Sequence, residues 1–185
     1  LQASFLFKYL KFHKFCYKKS FILSVVRSLW NIVYQLAVRK LNLIDRYIVL
    51  TNFSKLKFLR DGYPIAKLKI KPNFIPDPVI NSSEILFKER SGAVFVGRLS
   101  HEKGIYNLLD AWKSINFPLK IIGDGPLTKT LFEQNQNSNI EFLGNLSHEA
   151  VLSHLKKSKF LIFPSIWYEG LPCTIVEALA CGTPI

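Results

Sequence analysis

Methionine is absent from the 185 residues, and cysteine occurs only three times. Without a Met there is no initiator, and the chain stops at Thr183-Pro184-Ile185 just as an apolar strand begins, so both ends are expected to be cut. Cys16, Cys173 and Cys181 are odd in number and far apart, with no Cys-x-x-Cys pair or Cys/His cluster. That argues against a disulfide framework and a zinc site, and fits a reducing cytosol. Acid is scarce in one half only: residues 1 to 90 hold 17 Lys and Arg against 5 Asp and Glu, whereas residues 91 to 185 hold 8 against 8. The whole +12 therefore belongs to the first half. A basic half seeks anionic partners, and membrane lipid, nucleic acid or a phosphorylated substrate would each satisfy it.

No cleavable signal peptide is recognisable. The stretch from Ser20 to Val38 is apolar enough to raise the question of a membrane span, but Arg27, Asn31, Gln35 and Arg39 recur every four residues. That is an amphipathic helix, with Phe21, Val25, Leu29, Ile32 and Leu36 on the other face. Residues 1 to 19 interleave aromatic side chains with lysines without a clean period, and helix or loop both remain open for them.

With 49% apolar residues the chain can bury a core. Asp45 to Thr51 reads as a buried strand and Asn52 to Asp61 as a helix stopped by Gly62. Three prolines in Lys69 to Pro78 impose an extended stretch, which we take as a boundary between residues 1–75 and 76–185. Alternation then becomes regular: strands at 93–97, 119–122, 140–143 and 159–163, helices near 104–115, 126–136, 147–158 and 172–181. Strands alternating with helices imply a parallel sheet covered on both faces, whose strand-to-helix loops all emerge at the carboxyl edge, where ligands bind. Gly97-Arg98, Gly123-Asp124-Gly125, Gly144-Asn145 and Pro164 to Glu169 lie in those loops.

Two segments carry chemistry. Gly97-Arg-Leu-Ser-His-Glu-Lys-Gly104 brings Arg98 and Lys103 to a helix start, where two cations and free N–H groups suit a diphosphate. Glu169-Gly-Leu-Pro-Cys-Thr-Ile-Val-Glu177 places one carboxylate before a helix and another inside it. Pro172 suits the first helical position and Gly182 the stop. On the helical wheel Ile175, Val176 and Leu179 face the core, and Glu177 falls well away from them beside Thr174, toward a cleft. The plainer alternatives are solvated cations, an exposed helical glutamate at 177 and an acid at 169 favoured by the helix dipole.

Val96-Gly-Arg-Leu-x-x-Glu-Lys-Gly104, Ile121-Ile-Gly-Asp-Gly-Pro126, Phe142-Leu-Gly144, and Glu169-Gly-x7-Glu177 followed by Ala178-Leu-Ala-Cys-Gly-Thr-Pro184 resemble the donor-binding half of a retaining glycosyltransferase of the two-domain GT-B type, family GT4. The resemblance covers residues 93 to 185. More loosely, Asp45 to Phe53 and Lys71-Pro-Asn-Phe74 resemble the last strand, helix and hinge of the first domain. It implies an α/β fold: a C-terminal Rossmann-like parallel-sheet domain preceded by the last part of an N-terminal, acceptor-side domain.

The resemblance also implies roles. Arg98 and Lys103 would bind the diphosphate of a UDP- or GDP-linked sugar, Glu169 the hydroxyls of that sugar, and Glu177 the ribose diol. Backbone groups around Gly170, Leu171, Pro172, Cys173 and Thr174 would cradle the phosphate, although the family more often has Gly where Pro172 stands. Gly97 belongs to the same phosphate loop, and Gly144 and Leu146 would lie near the base. No cofactor beyond the donor is expected, and no Asp-x-Asp pair suggests a metal. His13, His101, His148 and His154 have no identifiable partner and read as surface residues. The expected partners are a nucleotide sugar, a glycan or lipid-linked acceptor and an anionic membrane surface, with no nucleic acid. The expected location is the cytoplasm, peripheral to the inner face of the membrane. Two rival readings stay open: another GT-B enzyme such as a sugar-nucleotide epimerase, and a non-catalytic basic module that binds membrane or nucleic acid.

Overall fold

The computed structural model describes residues 21–40, 43–76, 85–135 and 138–185. The aromatic and lysine-rich stretch 1–19 and the end of the proline-rich stretch at Asp77 and Pro78 lie outside the described residues, as do the side chains of Phe21, Gln35, Leu36 and Arg39.

The chain divides into two compact units. Residues 1–47 with 64–69 form one, and residues 48–63 with 70–185 form the other, so the segment 48–63 groups with the later part of the chain rather than with all of 1–75. In the first unit, α1 (Phe21–Lys40) is the amphipathic helix read from the four-residue polar stripe. Among the described residues no helix is long and apolar enough to cross a membrane.

The second unit opens with α2 (Asn52–Arg60), whose N-cap Thr51 accepts a 3.1 Å bond from the Ser54 N–H through its hydroxyl. The strand expected before it is shorter than read: β1 is Tyr47–Val49, with Val49 buried but Ile48 63% exposed. Strand β2 (Leu68–Ile70) follows, and the Lys71 N–H donates to the Val49 carbonyl at 2.9 Å.

The main sheet has four parallel strands: β3 (Ala93–Val96), β4 (Leu119–Ile122), β5 (Ile140–Gly144) and β6 (Phe160–Leu161), in the order β5-β4-β3-β6. Alternate residues of β3 feed two cores. Ala93 and Phe95 pack with Leu119, Ile121 and the helices α3 (Ile105–Trp112) and α4 (Thr128–Gln134). Val94 packs with Ile122, Leu161 and the helices α5 (His148–Lys157) and α6 (Cys173–Ala180) on the opposite face. A central strand buried on both sides explains the unbroken Ala-Val-Phe-Val run.

The chain builds β3, β4 and β5 outward in one direction, then returns to place β6 on the other side of β3. The order reverses at β3, so the crevice at the carboxyl ends of β3 and β6 is the topological switch point, where such sheets bind ligands.

Helix α6 corrects the wheel reading. Leu179 is 63% exposed, and Ala178 and Cys181 are the residues buried against the sheet. A small residue brings the helix close to the strands, and the face centred on Ala178 leaves Glu177 at the margin of the core, 9% exposed, rather than well away from it. Pro172 is the N-cap in extended geometry, one position before the first helical residue, and Gly182 ends the helix with φ +63°.

Candidate donor site at the carboxyl edge

Close backbone packing builds the edge. A Cβ on Gly123 would lie 2.0 Å from the Gly97 carbonyl oxygen, and one on Gly104 would lie 2.0 Å from that of Pro164, so glycine is required at both. Gly104 has φ +69° and joins a short 3-10 turn, His101–Lys103, to α3. The loop after β6 is tied to this turn: the Ile166 N–H donates to the Glu102 carbonyl at 3.0 Å, and the Ser165 hydroxyl lies 3.3 Å from the same oxygen.

Across the tie, Lys103 Nζ lies 2.6 Å from Glu169 Oε1. The Ser165 hydroxyl donates to the same oxygen at 2.8 Å. These two donors, Lys103 foremost, hold the Glu169 carboxyl below the usual carboxylate range against the opposing effect of burial. The Ser100 hydroxyl similarly lowers Glu102, at 2.6 Å. Arg98 is exposed, and its guanidinium has no hydrogen bond or ion pair among the described residues. With Gly97, Gly123, Asp124 and Asn145 it lines a cleft of about 340 Å³ over the ends of β3 and β4.

At the start of α6 the Ile175 and Val176 N–H groups bond the Pro172 carbonyl, whereas those of Cys173 and Thr174 find no carbonyl among the described residues. This is the free-donor turn expected of a helix N-terminus. Gly170 and Leu171 precede it, and the Leu171 carbonyl accepts a 2.5 Å bond from the Asn73 side-chain amide. The Glu177 carboxylate has no hydrogen bond among the described residues, but its Oε1 lies 3.6 Å from His148 Nδ1. That pairing corrects the reading of His148 as a histidine without a partner. Its signal was available: Ser147 caps α5 at Ala150, which fixes His148 at the first position of a helix packed beside α6. Gly144 ends β5 with φ +66°, and Leu146 packs against the apolar cluster under α5 and α6.

The expected residues thus form three groups: Gly97 and Arg98 at the cleft, Lys103 with Glu169 across the switch point, and Glu177 with His148 beyond the first turn of α6. A larger cavity of about 880 Å³, bordered by Tyr106, Asn116, Gln134, Asn139 and the exposed Asp110–Lys113 pair, reaches none of them.

Comparisons with known proteins agree with this architecture. An uncharacterised glycosyltransferase of Methanocaldococcus jannaschii is 39% identical over 109 residues, covering 56% of this chain and 31% of its own. The amylovoran biosynthesis glycosyltransferase AmsD of Erwinia amylovora is 28% identical over 164 residues, covering 82% of this chain and 46% of its own. The chain therefore spans less than half the length of these relatives. Among solved structures, HepE of Anabaena in complex with UDP and glucose superposes with a TM-score of 0.62 at 19% identity, over 76% of this chain and 43% of that one, which shows a shared GT-B fold. The model for glycosyl transferases group 1 matches residues 80–185, more than half of the sequence, and the chain belongs to that family.

Proposed function

We propose that this chain carries the donor side of a glycosyltransferase that moves a sugar from a UDP- or GDP-linked donor to a glycan or lipid-linked acceptor, with retention and without a metal. The observation that carries the reading is the Lys103–Glu169 pair at the switch point, directly before the free N–H groups of α6. Cleavage of the bond between anomeric carbon and phosphate oxygen builds negative charge on the nucleoside diphosphate. The first turn of α6 is a fixed set of donors for such charge, and Arg98 and Lys103 add theirs once Lys103 exchanges Glu169 for the phosphate. Glu169 takes hydroxyls of the sugar, and Glu177, largely enclosed and with no hydrogen bond to its carboxylate among the described residues, accepts the two ribose hydroxyls side by side. The acceptor attacks on the face from which the diphosphate departs, so configuration is kept.

The names of relatives, AmsD among them, support a polysaccharide product. The basic first half and amphipathic α1 support an acceptor met at the cytoplasmic face of a membrane. Titration calorimetry of the chain with UDP and GDP tests the donor site, and a panel of nucleotide sugars tested for turnover with a longer protein containing this chain tests the transfer. Absence of binding to either nucleotide overturns the reading.

A further inference from the structure

The loop that presents Glu169 also holds Trp167 and Tyr168, which are 68% and 84% exposed. Tyr168 is not loose. Its ring centroid lies 5.6 Å from that of Phe53 on α2, and Lys57 Nζ sits 4.9 Å from the Tyr168 centroid and 5.2 Å from the Phe53 centroid. The Gly170 backbone runs close enough to Leu50 that an added Cβ would lie 3.2 Å from its Cδ1, and Asn73 donates to the Leu171 carbonyl, a further bond that fastens the loop. The donor reading uses none of these side chains.

The sheet order gives their place along a bound donor. The ribose and base are expected toward β5, near Gly144, and the sugar toward β6, at Glu169. These are the two edges of the four-stranded sheet, three strand spacings or about 14 Å apart. Tyr168 directly precedes Glu169 in the chain, so the aromatic patch adjoins the expected sugar position.

A pyranose has an apolar C–H face and a polar rim, and it matches a ring that offers an apolar body with a polar tip to water. The ammonium of Lys57 already lies against two ring faces, and α2 carries Lys55, Lys57 and Arg60 without an acid from Asn52 to Arg60. That field draws in an anionic substituent. Glu169, paired with Lys103, does little to oppose it.

We propose that Trp167, Tyr168 and Phe53, with Lys57 over the rings, form a platform for an anionic saccharide, the acceptor of the reaction proposed above. The inference rests on that reading for its role as acceptor site, but its binding is measured separately. In a Trp30→Phe chain, Trp167 is the exposed tryptophan, because Trp112 is buried with its Nε1 bonded to the Phe117 carbonyl. A short oligouronide should shift its emission to the blue and saturate, with the carboxyl-reduced oligosaccharide binding about fivefold more weakly, the upper range for one exposed ion pair. Lys57→Gln should erase that preference, and Tyr168→Ala should abolish the shift. Saturation-transfer NMR on the unsubstituted chain reads the same contact if a variant fails to fold. No saccharide contact, or an acid preference untouched by Lys57→Gln, overturns the platform. So does a shift produced by phosphatidylglycerol vesicles or single-stranded DNA while the oligouronide gives none. UDP binding without saccharide binding removes this inference alone, and saccharide binding without UDP binding removes the donor reading.

Discussion

Lys103 and Glu169, 66 residues apart in sequence, meet at 2.6 Å across the crevice where the strand order reverses. Each closes a different strand-to-helix loop, one after β3 and one after β6. In the donor site proposed above, such a pair would keep both charges satisfied until each found its own partner.

Removing the cations should therefore weaken nucleotide binding. For Arg98→Ala with Lys103→Ala, the affinity for UDP or GDP should fall by about 2–4 kcal/mol, as for two lost charge-assisted hydrogen bonds. Calorimetry on the folded double variant checks this, and unchanged affinity would return both residues to the solvated surface.

Glu177→Gln preserves size but leaves one side-chain oxygen able to accept. It should weaken binding of a ribonucleotide more than of its 2′-deoxy analogue, because only the former presents the diol. His148→Ala should leave that discrimination in place, since the Glu177 carboxylate keeps both oxygens able to accept. Equal losses for the two nucleotides with Glu177→Gln would argue for a purely structural glutamate.

The bridge also sets a pH dependence. The folded-state pKa of Glu169 is lowered, first by Lys103 and then by Ser165, so its contribution to stability is fully present above the unfolded value of about 4.3. That contribution is lost as the pH falls through the lower folded value. The chain should lose stability on acidification below about pH 5, and Glu169→Gln should flatten that part of the profile. Urea titrations across the acid range supply the measurement, and a profile identical for the two proteins would mean that the pair adds nothing to stability.

The alternation of elements and the two charged loops were legible because each rests on local signals. Short apolar runs mark strands, glycines mark turns, and cations or carboxylates sit at helix starts. What was not legible depends on which neighbour a helix meets. The wheel puts Leu179 inward because it shares a side with Ile175 and Val176, yet close approach to the sheet favours Ala178. His148 acquires a partner only through the packing of α5 beside α6. Asn73 reaches a loop 98 residues away, and no local pattern announces such a bond.

Arg90 is the same kind of long-range contact, and its loss should be felt in stability. Its guanidinium donates to the Cys181 carbonyl at 3.2 Å, the Gly182 carbonyl at 2.8 Å and the Thr183 hydroxyl at 3.2 Å. The first two are carbonyls at the end of α6 that the helix itself leaves unpaired, and a cation there also complements the helix dipole. Thr183, buried at 1% exposure, passes the connection on by donating to the Leu155 carbonyl of α5 at 2.7 Å. Arg90→Ala strips these acceptors at once and should cost about 1–3 kcal/mol, seen as a lower urea midpoint with an unchanged slope. Arg90→Lys keeps the charge but not the planar fork, and should recover only part of the loss. Because α6 carries both Glu177 and the free N–H groups of the proposed phosphate site, the same variant should bind UDP more weakly even where it remains folded. A fall in stability with undiminished nucleotide affinity would mean that the helix start is held by the Asn73–Leu171 contact alone.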